Sequence, residues 1–187
     1  MVETKPHLGW YQPHSLPHFD SPEATQFVTF RLVDSLPTNF ANPIDRMELN
    51  RRQIERELDS GLGACWLGMS QIAYLVQQAL FAFDQERYRL WAWCIMPNHV
   101  HCLFETIEGH RLGDIIRSWK KYTALRANRV LQRDGAFWQR DYFDRFMRNE
   151  EQFGRTIDYI ERNPVKAGLC RHPIDWKWSS ARFRSGE

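Results

Sequence analysis

With 187 residues, 43% of them hydrophobic, the chain is long enough for one domain with a conventional core, and its formal charge of +2 names no partner. Cys65, Cys94, Cys102 and Cys170 lack any C-x-x-C spacing, which argues against a zinc ribbon; no disulfide staple is needed at this length, and Cys94 and Cys102 are expected as buried free thiols. No stretch approaches the roughly eighteen uninterrupted apolar residues of a membrane span, and no signal-type apolar core is present, so a soluble, cytoplasmic protein without a membrane partner is expected.

Residues 1–24 are rich in Pro, His and aromatic residues without helical or strand period, and read as an N-terminal arm; 25–187 form the main domain with a C-terminal tail. Thr25 to Val33 alternates and is rich in β-branched and aromatic residues, predicting the first strand. Asp45 to Leu58 predicts a charged helix, and Ser70 to Asp84 a more apolar one that Ser70 can cap, with Gly61, Gly63 and Gly68 between them. Arg87 to Ile95 and His99 to Glu105 predict two strands joined by Met96-Pro97-Asn98, a hairpin. Arg111 to Leu131 is a long basic amphipathic helix, Tyr142 to Met147 a short strand, and Glu150 to Asn163 a helix stopped by Pro164. This order predicts an α+β fold of the split βαβ kind: an antiparallel sheet with helices on one face and an additional C-terminal helix.

Charge is unevenly spread. Between Arg111 and Arg148 ten Lys/Arg stand against four Asp/Glu, interleaved with Trp119, Tyr122, Phe137, Trp138 and Tyr142. Such a region can line a polyanion, although charge runs are usually solvated helix faces.

The most informative run is Met96-Pro97-Asn98-His99-Val100-His101. In an extended strand His99 and His101 project from one face while Val100 and Cys102 point the other way. Two adjacent imidazoles are a ready metal chelate, but a third ligand must come from elsewhere, and a hydrogen-bonded pair is the commoner fate of such a motif. In the last helix Tyr159 and Asn163 are four apart and share a face, so one helix can deliver a hydroxyl and an amide to one point. Alternatively, Tyr159 packs on the sheet and Asn163 ends the helix.

The His run, then Trp138-Gln139-Arg140-Asp141-Tyr142-Phe143-Asp144-Arg145, then Asp158-Tyr159-Ile160-Glu161-Arg162-Asn163-Pro164-Val165-Lys166-Ala167-Gly168, together resemble the REP-associated tyrosine transposases of the HUH single-tyrosine superfamily. The similarity runs from about Thr25 to Phe183, and the segment from Asp45 to Gly68 lengthens the region after the first strand relative to compact members. The resemblance implies a ferredoxin-like sheet and a bacterial protein. It implies Tyr159 as catalytic nucleophile and His99, His101 and Asn163 as ligands of Mg²⁺ or Mn²⁺. Its implied activity is cleavage and strand transfer of single-stranded DNA at palindromic repeat hairpins through a 5′-phosphotyrosine. Reversal of that step regenerates the phosphodiester, an option a hydrolytic nuclease lacks.

An unperturbed tyrosine has a pKa of about 10, so the phenol needs help to act near neutrality. Basic and aromatic residues together suit an unpaired strand, with Arg117, Lys120, Lys121, Arg126 and Arg145 as candidate DNA contacts. The N-terminal arm or Trp176-Lys177-Trp178 can hold a hairpin, although docking of these tryptophans on the core is the simpler expectation. Asp144, Asp158 and Glu161 are expected as ion-pair partners rather than bases. A monomer with its site formed within one chain is expected, a homodimer being the alternative. Two other readings stay open: a noncatalytic nucleic-acid-binding protein on this fold, and a replication-initiator or relaxase-like nickase.

Overall fold

The computed structural model describes residues 6–36 and 51–184, with only the backbone described at 51 and 52. Two short strands, β1 (Gly9–Tyr11) and β2 (His18–Asp20), pair antiparallel ahead of the main sheet. The main strands are β3 (Thr25–Arg31), β4 (Tyr88–Ile95), β5 (His99–Thr106) and β6 (Phe143–Phe146), in the antiparallel order β4-β5-β3-β6. The helices are α1 (Arg51–Asp59), α2 (Ser70–Phe81), α3 (Leu112–Val130), α4 (Glu150–Lys166) and α5 (Ala181–Arg184). This mixed fold matches the expected α+β class and the split βαβ order, because β5 inserts between β3 and β4.

The alternating strand pattern gives the sheet two different faces. Val28, Phe30, Val100, Cys102 and Phe104 point to the face covered by α2 and α3, where they meet Ile72, Val76, Leu80, Ile115, Ile116 and Trp119 in the main core. Phe27 and Leu103 point to the other face and pack with Ile160, Ile157 and Tyr159 of α4. Cys94 and Cys102 are buried thiols whose pKa values burial pushes up.

Several local expectations change. Asp45 to Asn50 of the expected first helix lie outside the described residues, and the helix is described from Arg51 to Asp59. Ser70 is the first helical residue of α2 rather than its cap: Met69 holds that position without a side-chain bond, because a 3₁₀ turn at Trp66–Gly68 leads straight into the helix. Pro164 does not stop α4, which runs to Lys166. In a last turn a proline forfeits a single backbone bond. The chain leaves the helix through Ala167 and Gly168, whose φ of +71° is the left-handed conformation glycine adopts freely. The N-terminus of α4 is capped by Asn149, whose side chain accepts from Gln152 N at 2.8 Å.

The segment expected to be an aperiodic arm is an anchored hairpin. Asp20, 1% exposed, accepts from Leu8 N and Leu112 N, each at 3.0 Å, and contacts His7 Nδ1 at 3.0 Å. Its carboxylate therefore caps α3 in place of Arg111, which makes no side-chain cap. His18 pairs with Asp144 on β6, and the Tyr11 and Tyr142 hydroxyls are 3.0 Å apart.

The tail tryptophans dock on the core, the simpler of the two expectations. Trp176 Nε1 donates to Ile95 O at 3.0 Å, Ile95 N donates to Trp178 O at 2.8 Å, and Trp178 is 7% exposed. Among the described residues no helix is long and apolar enough to cross a membrane.

Candidate metal centre and tyrosine site

Strand β5 presents His99 and His101 on the α4 face, as the alternation requires, and β3 lies beside it with Thr29 opposite His101. From across the face α4 brings Tyr159 and Asn163. The histidine Nε2 atoms are 3.0 Å apart, Asn163 Nδ2 lies 3.3 Å from His101 Nε2, and the Tyr159 and His101 ring centroids are 5.5 Å apart. Four residues singled out in the sequence thus meet at one point within a single chain.

The outer nitrogens of the two rings decide what their inner nitrogens can do. Asn98 Nδ2 donates to Leu58 O at 3.1 Å and to Leu62 O at 3.0 Å, which fixes its amide orientation. Its Oδ1 faces His99 Nδ1 at 2.7 Å and can only accept, so His99 carries its proton on Nδ1 and leaves Nε2 with a bare lone pair. Burial, with the Arg31 cation nearby, lowers the His99 pKa to about 3, keeping the ring neutral.

His101 Nδ1 is 2.8 Å from Thr29 Oγ1, a hydroxyl that can accept or donate. With Thr29 accepting, two imidazole lone pairs face each other across 3.0 Å, an arrangement that requires a proton or a cation in the gap. Asn163 Oδ1 is buried without a hydrogen-bond partner, and a half-turn of the amide brings that oxygen to His101. Two neutral imidazoles with outer-shell bonds and one orphaned amide oxygen are a donor set that would fit a divalent cation. Among the described residues no group of three or more His, Cys, Asp or Glu forms a competing metal cluster.

His99, His101 and Asn163 are each 0–1% exposed. Lys166 flanks Tyr159, with Nζ 5.8 Å from its ring centroid and 3.1 Å from Asp59 Oδ2. That pair ties α4 to α1, and burial raises the Asp59 pKa.

The candidate DNA contacts divide between the faces. Arg145 is exposed on β6 opposite Phe27, on the same face as the histidines. Arg117, Lys120, Lys121 and Arg126 belong to α3, across the sheet from Tyr159. There Arg117, Lys120 and Lys121 join Arg140 along a groove of about 460 Å³. Lys120 donates to Gln139 O at 2.6 Å and Arg140 O at 2.7 Å, and burial lowers its pKa to about 8, so much of its bonding capacity is used internally. Arg126 lies over the Tyr122 ring at 4.5 Å. Asp158 pairs with Arg162, Glu161 with Arg184 and Asp144 with His18, the ion-pair roles expected of them.

Sequence reasoning missed Asn98, Thr29, Asp59 and Lys166. Asn98 was legible only as a turn residue, and Thr29 only as a strand residue, because their partners come from distant segments.

Residues 73–163 match the family model described as transposase, IS200 like. The chain is 25% identical over 107 residues to the REP-associated tyrosine transposase of Escherichia coli, covering 57% of this chain and 62% of that one. It is 29% identical over 97 residues to a putative REP-associated tyrosine transposase of Haemophilus influenzae, covering 46% and 55%. This chain resembles the REP-associated tyrosine transposases. Its matches span 55–62% of the length of those two relatives. A REP-associated tyrosine transposase solved bound to a REP hairpin superposes with a TM-score of 0.62 at 21% identity, over 89% of this chain and 81% of that one, a likeness of fold. The matched family segment contains both histidines and ends at Asn163.

Proposed function

We propose that this chain cleaves and rejoins single-stranded DNA beside palindromic repeat hairpins. Tyr159 is the nucleophile, and His99, His101 and Asn163 hold Mg²⁺ or Mn²⁺. The convergence of two imidazole Nε2 atoms, an orphaned amide oxygen and a tyrosine ring at one buried point carries this reading. Similarity to transposases that include one bound to a REP hairpin supports the substrate class.

A bound divalent ion supplies charge neutralisation at the nonbridging oxygens and orients the phosphodiester. Asn98 and Thr29 hold the two imidazoles with their lone pairs toward that point. The Tyr159 oxygen attacks phosphorus, the bond to the 3′ oxygen breaks, and a 5′-phosphotyrosine and a free 3′-hydroxyl result. Attack by a 3′-hydroxyl on the same phosphorus reverses the step and frees the tyrosine. Lys166, paired with Asp59, lies beside the Tyr159 ring.

The test is incubation of a labelled hairpin oligonucleotide carrying a single-stranded flank with the protein and Mn²⁺. A covalent adduct on denaturing gels that EDTA abolishes and Mn²⁺ restores is the expected result. Binding without any adduct would favour the noncatalytic alternative, and adduct formation in EDTA would remove the metal from the reading. The fit of Tyr159 against His101 of its own chain supports a monomeric site. Mixing His99→Ala with Tyr159→Phe protein is then expected to give no cleavage, and rescue would assign the site to a dimer.

A further inference from the structure

The β1–β2 hairpin inverts the usual arrangement of polar and apolar side chains. His18 and Asp20 are each 1% exposed, whereas Trp10, paired across the hairpin with Phe19, is 66% exposed. Burying an imidazole and a carboxylate while leaving an indole in water is unfavourable in isolation, and such inversions mark surfaces kept for binding. The buried residues are the anchors already described, so the hairpin presents its outer aromatics from a rigid base.

Those aromatics form a cluster at the open side of β6. Ring centroids of Trp10 and Phe19 are 5.2 Å apart, those of Phe19 and Phe146 4.8 Å, and those of Trp10 and Phe146 6.2 Å. With Phe143, Arg145 and Arg148 they line a shallow recess of about 150 Å³. Both arginines are exposed, and the Arg148 guanidinium lies 5.4 Å from the Phe146 ring centroid. The neighbouring Asp144 carboxylate is engaged by His18 and by Phe19 N at 3.1 Å, so the two cations dominate the recess.

The recess wraps the β6 edge of the sheet: Phe143 and Arg145 project to the Tyr159 face, whereas Phe146, opposite Gln26, projects to the other. Phe143 also packs on Phe27 at 6.3 Å, and Phe27 in turn meets Tyr159 at 5.8 Å and His101 at 5.5 Å. Aromatic rings for bases beside cations for phosphates is the chemistry of single-strand recognition, and a paired stem hides its base faces.

We propose that Trp10, Phe19 and Phe146 form a stacking subsite for an unpaired nucleobase of the strand that enters the Tyr159 site, with Arg145 and Arg148 holding its phosphates. This subsite rests on the DNA reading above and adds to it where the single strand lies, around the β6 edge of the sheet.

The experiment measures binding of full-length protein, by fluorescence anisotropy, to a hairpin with a single-stranded flank, to the same hairpin without a flank, and to flanked versions carrying one abasic spacer at successive positions. Trp10→Ala and Phe146→Ala are expected to weaken binding of the flanked hairpin about 5- to 150-fold, the range of one lost base stack, and to leave the unflanked hairpin unchanged. One abasic position is expected to weaken the wild type to a similar degree and to have no further effect on Trp10→Ala, while Trp10→Phe keeps most of the affinity. Equal affinity of wild type and Trp10→Ala for the flanked hairpin would overturn the subsite and leave the DNA reading standing. If Trp10→Ala instead only dissociates a self-associated form, the patch is a protein contact and the subsite is refuted. Failure of the wild type to bind any of these oligonucleotides would remove the DNA reading and the subsite with it.

Discussion

The two faces of the main sheet come from the same strands and are put to opposite uses. Toward α2 and α3, β3 and β5 send Val28, Phe30, Val100, Cys102 and Phe104, and burial of apolar surface does the stabilising. Toward α4 the intervening residues are Phe27 and Leu103 together with half-buried Thr29 and the fully buried His99 and His101, whose polar atoms must find their hydrogen bonds within the site. Because the strand period is two, a shift of one residue in register would exchange the faces, so the dry face holds the polar face in place. The polar face concentrates chemistry by accepting a stability cost that the dry face offsets.

The largest expected effect separates chemistry from folding on the polar face. Tyr159→Phe removes one oxygen, and cleavage and adduct are expected to fall by on the order of a thousandfold or more, as for loss of other covalent nucleophiles. Binding of a flanked hairpin and the midpoint of thermal unfolding are expected to stay at wild-type values. Adduct formation by this variant would move the nucleophile to another residue.

A matching change on the dry face is expected to do the reverse. Phe104→Ala, at a fully buried position between Tyr88 and Trp119, is expected to cost about 3–5 kcal/mol in urea unfolding. Mn²⁺ affinity of the folded fraction, measured by calorimetry well below the transition, should not change. A loss of metal affinity in step with stability would show that the two faces are not separable.

The outer shell of the polar face comes next. Thr29→Val preserves shape and removes the hydroxyl beside His101, and Asn98→Ala removes the acceptor beside His99. Each is expected to lower Mn²⁺ affinity about 10- to 100-fold, the usual effect of losing a partner that orients a metal-ligating histidine. Both should also lower stability, Asn98→Ala the more, because Leu58 O and Leu62 O lose their donor as well as His99 Nδ1 its acceptor, whereas Thr29→Val strands only His101 Nδ1. Wild-type metal affinity in both variants would refute the orienting role.

The smallest effect belongs to the rim. Lys166→Met breaks a pair with Asp59 in which the lysine side chain is 53% exposed, and is expected to change unfolding free energy by less than about 1 kcal/mol. A larger loss would mean that this pair, rather than packing on the sheet, holds α4 over the histidines.

Local periodicity carried most of the elements and the essentials of the site. The alternation of Thr25 to Val33, the shared face of His99 and His101, and the four-residue spacing of Tyr159 and Asn163 are all short-range relations, and the folded chain keeps them. The same logic misread residues 9–20: the buried residues, His18 and Asp20, are polar while Trp10 is exposed, so hydrophobic alternation gave no strand signal. It also ended α4 at Pro164, where local preference was overridden in a final turn that forfeits only one bond.

What the tertiary structure alone decided is the set of partners. Asn98 becomes the residue that fixes a histidine tautomer only because Leu58 and Leu62, about forty positions earlier, bring their carbonyls to its amide. The basic residues of α3 read as one patch with Arg145 until the sheet separates them onto opposite faces. Composition and spacing report which groups a short segment presents. Register, tautomer and the face a helix covers depend on segments far apart in the chain, and these become neighbours only when the core closes.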